Sequence, residues 1–341
     1  MADRPQIGKK NIIVTGGAGF IGSFLCEKLL KEARVICIDD FSTSSVANIE
    51  HLLKNPDFEL LRHDLAEPLD LLAQPELERF KIAALGVQEI YHLACPMVVK
   101  SFMEERERIL DANSVVMRNV LKLAAKYRAK FLLSSSSVVY GARPSDRHQC
   151  REEDAHAVSH LTSRACYDEG RRWSETMAFT YKELHGLDIR IARVFRTFGP
   201  RMPLDDGHMI PDFVRAALDG RDVVVHGDAK FRSSFCYVTD VVDGLVRLMG
   251  LNADPGPVNL GSDEDFTVSD VAKHIVRLLG SESKIVSGPP LVFLSELGIP
   301  DLTRAKEALG WFPIVPFLQG LKKTIEYSLS ARGEVRPLND V

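Results

Sequence analysis

The sequence predicts an α/β fold, a doubly wound parallel sheet with a smaller C-terminal part. Three observations carry this. Short apolar runs alternate with helical patterns through the first half of the chain. A glycine-rich turn joins the first run to the first helix. After Gly199-Pro200 the alternation gives way to short runs and turns. Repeated strand–helix units bury both faces of a sheet and favour parallel pairing.

The first unit is NIIVTGGAGFIG, residues 11–22. Ile12-Ile13-Val14 reads as a strand. Phe20, Ile21, Phe24, Leu25, Leu29 and Leu30 then recur at spacings of three and four, which predicts a helix. Gly16 allows a sharp turn, Gly19 a close approach of backbone to a pyrophosphate, and Gly22 tight packing of the helix on the strand. The helix start at Phe20 and Ile21 offers free N–H groups to phosphates. This is the Rossmann arrangement. The second run, Arg34 to Ile38, ends in Asp39-Asp40. An acid there accepts hydrogen bonds from ribose hydroxyls and repels a 2′-phosphate, so NAD is expected rather than NADP.

Further strands are predicted at Phe58–Leu61, at 89–94, at 130–133 running into four serines, and at 188–194. Helices are predicted over 108–127, with Leu110, Val115, Val116, Val120, Leu121 and Ala124 facing inward, and over 165–185. Residues 1–195 form the cofactor-binding domain in this reading. Residues 196–237 and 257–341 form the smaller substrate part, and 238–256 return to the first as a helix. In such a sheet, ligands sit beyond the carboxyl ends of the strands.

Composition narrows the class. The chain has 341 residues, 45% hydrophobic and 26% charged, with net charge −4. It has no basic block to suggest a nucleic-acid partner. It has no apolar run of the roughly 20 residues a spanning helix needs, so no membrane partner is expected. The N-terminal MADRPQIGKK lacks the apolar core of a secretory signal, and a cytoplasmic location is expected. Six scattered cysteines without a CxxC read as free thiols in a reducing compartment. The histidines show no metal-ligand spacing, so no metal is expected.

The catalytic signal is Cys166-Tyr167-Asp168-Glu169-Gly170-Arg171. Tyr167 and Arg171 share a helix face. A fixed cation lowers a tyrosine pKa from near 10 and lets the phenolate take a proton from a sugar hydroxyl. Ser136, at the end of the fifth strand, fits as a second hydrogen-bonding group for that hydroxyl.

The blocks TGGAGFIGS, YHLAC, SSSSVVYG, CYDEGRR, RIARVFRTFGPRM, DDGHMIPDF, FCYVTDVVDGL, VNLGS and PDLTRAKEALGW resemble the extended short-chain dehydrogenases/reductases that act on nucleotide sugars. FELLRHDLAEPL, IYHLACP, CYDEGRR and GPRMPLDDG are particularly similar to the UDP-glucuronate decarboxylases. The resemblance implies NAD as cofactor, a UDP-linked uronic acid as substrate, and a homodimer built on the helices at 108–127 and 165–185. It implies oxidation at C4, loss of CO2 and re-reduction. It implies cofactor contacts from Gly16, Gly19, Phe20, Ile21, Gly22, Asp39, Asp64, Leu65, Ala94, Asn113, Tyr167 and Arg171. Ser136, Tyr167 and Arg171 would be catalytic. Ser137, Arg196, Arg201, Arg232 and Asn259 would face the sugar nucleotide, although Asn113 also reads as a buried, satisfied amide, and Arg201 and Asn259 as braces.

Four positions depart from that family. Its lysine is Arg171, which keeps the charge in a planar fork. Its active-site glutamate is Val138. Its RSF arginine falls at Ser233, with Arg232 displaced by one. Its FNTYGP asparagine is Arg196. The valine leaves room for a C4 epimerase or another nucleotide-sugar oxidoreductase. The altered positions together leave room for a binding protein with weak or lost catalysis.

Overall fold

A computed structural model describes residues 8–97, 99–141, 149–155, 157–204, 206–291, 298–334 and 337–339. The N-terminal MADRPQI and Asp205 of the GPRMPLDDG block lie outside these.

Seven strands form one parallel sheet: β1 (Asn11–Thr15), β2 (Arg34–Asp39), β3 (Phe58–Arg62), β4 (Glu89–His92), β5 (Lys130–Ser136), β6 (Ile189–Val194) and β7 (Val258–Leu260). Their order is β7-β6-β5-β4-β1-β2-β3. The order reverses direction at β1, and a doubly wound sheet opens its ligand crevice at such a switch point. Ile13, Val14, Val35, Ile36, Ile90, Phe131 and Leu132 are buried without remainder, as a sheet covered on both faces requires.

The last strand differs from the sequence reading. Residues from 257 onward were expected in the smaller part, yet Val258–Leu260 pairs with β6, Asn259 opposite Arg193. Three residues carry too little periodicity to declare a strand. The sheet's need to cover the outer edge of β6 recruits them.

Helix α1 (Phe20–Leu29) follows the glycine turn. Next come α2 (Arg106–Asp111), a π-helical turn at Ala112–Val116, and α3 (Met117–Tyr127). The π turn inserts one residue into the helical count and rotates everything before it. Ile109 therefore faces inward, and Leu110, expected inside, stands 52% exposed. Helix α4 (Ala165–His185) buries only Tyr167, Gly170, Arg171, Ser174 and Ala178. Helix α5 (Val238–Gly250) packs against α1. Its Asp240 accepts from the Ile314 and Val315 amides at 3.1 and 2.9 Å, and its carbonyl from the Trp311 indole at 3.0 Å.

The rest of the described chain adds two-stranded ribbons and four helices, Met209–Leu218, Val268–Leu279, Thr303–Leu309 and Phe317–Ala331. Val223–His226 pairs with Ile285–Gly288, Arg232–Ser234 with Asp265–Thr267, and Thr197–Phe198 with Cys236–Tyr237. The last two ribbons hold Ser233 and Phe198 at the carboxyl side of the sheet. All six cysteines are free thiols. Among the described residues no helix is long and apolar enough to cross a membrane. None of them gathers three or more His, Cys, Asp or Glu around a metal-sized space.

Candidate active site

One cavity of about 960 Å³ runs along the carboxyl ends of the strands. Gly16, Gly19, Phe20, Ile21, Gly22, Asp39, Asp64, Leu65 and Ala94 line one stretch. Ser136, Ser137, Val138, Arg164, Tyr167, Arg171, Arg196 and Arg201 line the other.

The glycine turn fits a dinucleotide on its own geometry. Gly16 has φ +69°, and a Cβ there would strike the Ala94 backbone nitrogen at 2.9 Å. A Cβ on Gly22 would sit 2.1 Å from the Gly16 carbonyl oxygen. Gly22 thus serves closure of helix onto turn, rather than the helix–strand packing expected of it. Gly19 is the N-cap of α1 and contributes no side chain, which leaves the first N–H groups of the helix facing the cavity.

Asp39 already works within the protein. It accepts from the Ala18 amide (2.9 Å), the Phe41 amide (3.0 Å) and the Ser44 hydroxyl (2.6 Å). A carboxylate offers about four acceptor sites, so one remains for a ribose hydroxyl. Asp64 binds the Ala66 amide at 2.9 Å, which shapes the loop that brings Leu65 to the wall.

Tyr167 is 8% exposed and packs in an apolar cluster with Phe102, Ile109 and Val138. The Arg171 guanidinium carbon lies 5.5 Å from its ring centre. Arg171 is buried, and its Nε has no hydrogen-bond partner among the described residues. Burial works against the guanidinium charge, but the neighbouring Cys95 and Tyr167 outweigh it and raise its pKa. Beneath it His92 bonds Thr15 Oγ1 at 2.7 Å. Burial first, then the Arg171 charge, pushes the His92 pKa down to about 3. Ser136 Oγ accepts from the Val138 amide at 3.4 Å and caps the short turn Ser137–Tyr140. Its own hydroxyl hydrogen stays available to a ligand.

Behind the serines lies a buried polar chain. Ser135 donates to Glu175 at 2.6 Å, and Arg193 grips Glu175 through Nε and Nη2 at 3.0 and 2.8 Å. Arg193 reaches the Tyr140 hydroxyl at 3.0 Å, and that hydroxyl donates to Asn259 Oδ1 at 2.7 Å. The chain fixes the end of β5 against α4, β6 and β7.

Three expected site residues do not reach the cavity. Asn113 sits in the π turn. Its Nδ2 donates to the Ile109 carbonyl at 2.7 Å, and its Oδ1 accepts from Ser174 at 3.0 Å. Asn259 is spent on Tyr140, on the Cys150 carbonyl at 2.9 Å and on the Asp301 carbonyl at 3.2 Å. Arg232 is exposed and forms an ion pair with Asp265. The first two are braces because their amides are satisfied inside the protein. The third points away because alternation along its short strand turns Ser233 inward.

Arg201 is both wall and brace. It has φ +67°, pairs with Glu27 at 2.7 Å and lies 4.2 Å over the Phe24 ring. Arg196 donates to Ser233 Oγ at 2.6 Å. Arg164 and His208 also line the cavity and were not anticipated. Arg164 binds Asp168 through Nε and Nη2 at 3.1 and 2.9 Å. Its place three residues before Tyr167 was a readable signal, because that spacing shares a helix face.

Residues 12–261 match the NAD dependent epimerase/dehydratase family. UDP-glucuronic acid decarboxylase 1 of Xenopus tropicalis is 39% identical over 326 residues, 94% of this chain and 72% of that protein. UDP-glucuronic acid decarboxylase 5 of Arabidopsis thaliana is 39% identical over 91% of this chain and 86% of its own length. Among solved structures, UDP-glucose 4-epimerase of Thermotoga maritima with UDP-glucose superposes with TM-score 0.80 at 26% identity, covering 94% of this chain and 99% of that one. UDP-glucuronic acid 4-epimerase of Bacillus cereus, solved with UDP-glucuronic acid and NAD, shares the fold with TM-score 0.81 at 23% identity, covering 94% and 99%. A family match over most of the chain, and 39% identity to decarboxylases over 91–94% of it, agree with the sheet order: the chain belongs to the NAD dependent epimerase/dehydratase family, within the extended short-chain dehydrogenases/reductases.

Proposed function

We propose that this chain is an NAD-dependent decarboxylase of a UDP-linked uronic acid. One observation carries the reading: Tyr167, with Arg171 over its ring, shares one continuous cavity with Ser136 and the glycine turn. The 39% identity to decarboxylases over 91–94% of the chain supports the substrate class.

NAD held along the glycine turn and Asp39 supplies a hydride acceptor, and later a donor, at the sugar C4. The rest falls to the protein. Tyr167 takes the C4 hydroxyl proton, with Ser136 Oγ bonded to the same oxygen and the Arg171 guanidinium beside the ring. The 4-ketone makes the acid on C5 a β-keto acid. The bond from C5 to the carboxylate breaks, CO2 leaves, and its electron pair moves into an enolate whose oxygen faces Tyr167 and Ser136. C5 must then regain a proton. Val138 cannot donate one, and it stands in an apolar cluster with Tyr167. Water entering the cavity supplies the C5 proton instead, so slow turnover is expected, with NADH and a UDP-linked 4-keto pentose accumulating. A second cavity of about 360 Å³ shares Gly207 and Met209 with the first and offers room for the nucleotide end.

The test is incubation with NAD and UDP-glucuronate, followed by mass spectrometry. Loss of the mass of CO2 supports the reading. UDP-galacturonate with all its carbon and no net NADH overturns it in favour of a C4 epimerase, which the non-acidic Val138 would suit. No change in any nucleotide sugar would leave a binding protein.

A homodimer is part of the proposal. Trp173 and Phe179 stand 53% and 55% exposed on α4, which buries one narrow stripe against its own chain. Sedimentation of wild type beside Trp173→Glu tests it, and a monomeric wild type would remove it.

A further inference from the structure

Two positions where this chain departs from the decarboxylases lie against each other. Position 196 carries arginine instead of asparagine, and position 233 carries serine instead of arginine. Arg196 Nη1 donates to Ser233 Oγ at 2.6 Å. Ser233 is 1% exposed on its ribbon, and Arg196 is half-buried in the cavity wall just beyond β6. A guanidinium therefore stands against residue 233 here, arriving from just beyond the central strand β6 rather than from the ribbon.

Arg164 stands close enough to act on it. Burial, and then the Arg164 charge, push the Arg196 pKa down to about 10. Positive charge is therefore disfavoured at this wall, and an arriving anion is stabilised there. Arg164 itself is steadied by two hydrogen bonds to Asp168. It also lies a single turn from Tyr167, whose amide bonds the Arg164 carbonyl at 2.8 Å.

The substrate's geometry selects the anion. A sugar with its C4 oxygen on Tyr167 and Ser136 carries its carboxylate on the next ring carbon. That carboxylate must meet a wall near Tyr167. Val138, which lines the cavity and packs with Tyr167, is apolar. An ionised carboxylate against it loses its solvation without compensation. Arg164 and Arg196 line the same cavity, and their planar forks match a carboxylate. We propose that Arg196, oriented by Ser233 and flanked by Arg164, recognises the C5 carboxylate and selects uronic acids over neutral sugars. Arg196 is then a specificity residue and Ser233 its positioning partner. This rests on the decarboxylase reading above.

The experiment is calorimetric titration of the NAD-loaded protein with UDP-glucuronate and with UDP-glucose. Wild type should prefer the acid. Arg196→Gln should lower UDP-glucuronate affinity about 10-fold or more, the scale of a hydrogen bond to a charged group, and leave UDP-glucose within about twofold. Ser233→Ala deletes only a hydroxyl and should give a smaller loss in the same direction. The double variant Arg196→Asn with Ser233→Arg should recover the preference, because the guanidinium returns from the other strand. Equal weakening of both ligands by Arg196→Gln would assign the arginine to the diphosphate and overturn the proposal. So would an unchanged preference. If wild type releases CO2 from UDP-glucuronate while every variant keeps the preference, the recognition proposal alone falls. If wild type shows no preference and releases no CO2, the functional reading falls with it.

Discussion

The Arg171 guanidinium carbon lies 5.5 Å from the centre of the Tyr167 ring, one helical turn further along α4. Arg171 is closed in by Tyr167, Cys95 and, underneath, His92, so its charge is fixed and poorly screened. Arg171→Lys keeps the charge and should cost less than about 10-fold in kcat. Arg171→Met removes it and should cost about 100-fold or more, within the range of general base catalysis. A lysine variant as poor as the methionine one would show that the surroundings demand the planar fork.

Tyr167→Phe removes the proton acceptor but keeps the ring that packs on Phe102, Ile109 and Val138. Turnover should fall about 100- to 10,000-fold, with NAD affinity within about twofold of wild type. Stopped-flow detection of NADH together with NAD titration reads both. Substantial residual turnover would assign the base elsewhere.

Asp39 has two duties, and its removal should show both. Asp39→Ala frees the Ala18 amide and the 41–44 loop, so NAD binding should weaken about 10-fold or more. NADP binding should weaken less, because repulsion of the 2′-phosphate disappears too. Fluorescence titration with both cofactors gives the ratio. A wild type that prefers NADP would refute the assignment of Asp39 to the ribose.

Val138→Glu tests the missing acid. The new carboxyl would enter a site 4% exposed and walled by apolar groups. It should stay protonated to unusually high pH and cost about 1–3 kcal/mol of stability, measured by urea unfolding. A neutral acid is also a proton donor, so the UDP-xylose fraction from UDP-glucuronate should rise. Lower stability with an unchanged product ratio would separate the valine from the chemistry.

His92 should make the protein acid-labile. Its folded pKa is depressed to about 3, whereas an unfolded histidine titrates near 6.5. Below about pH 6.5 the unfolded chain takes up a proton there that the folded chain refuses until near pH 3. Stability is therefore complete above 6.5 and falls as pH drops, by up to about 1.4 kcal/mol per unit. The slope difference between wild type and His92→Gln in urea unfolding between pH 6.5 and 4.5 isolates this contribution. Parallel slopes would contradict it.

Local spacing was legible. The glycine turn, Asp39, the Tyr167–Arg171 pair and the serine-tipped strand are each written within a few residues, so one sequence displays them. What depended on distant partners was not. Asn113 and Asn259 read as ligand contacts because an amide side chain looks the same whether it faces a cofactor or a carbonyl. Leu110 read as core because a regular helix was assumed, and one π turn is enough to turn it outward. The exchange between Arg196 and Ser233 appeared as two separate departures, since 36 intervening residues hide their contact.

The edge strand β7 has a consequence for how the chain is made. β6 ends at Val194, and β7 begins only at Val258. At 5–20 residues per second, a ribosome needs on the order of 3–13 s to cross that interval. Throughout it β6 is an open parallel edge, and neither the Asn259 amide that meets Tyr140 nor the Leu260 carbonyl that receives the Phe195 amide has yet been synthesised. The nascent first half thus spends seconds with an adhesive border exposed, which makes this interval the natural point for chaperone capture and for aggregation of fragments ending before Val258.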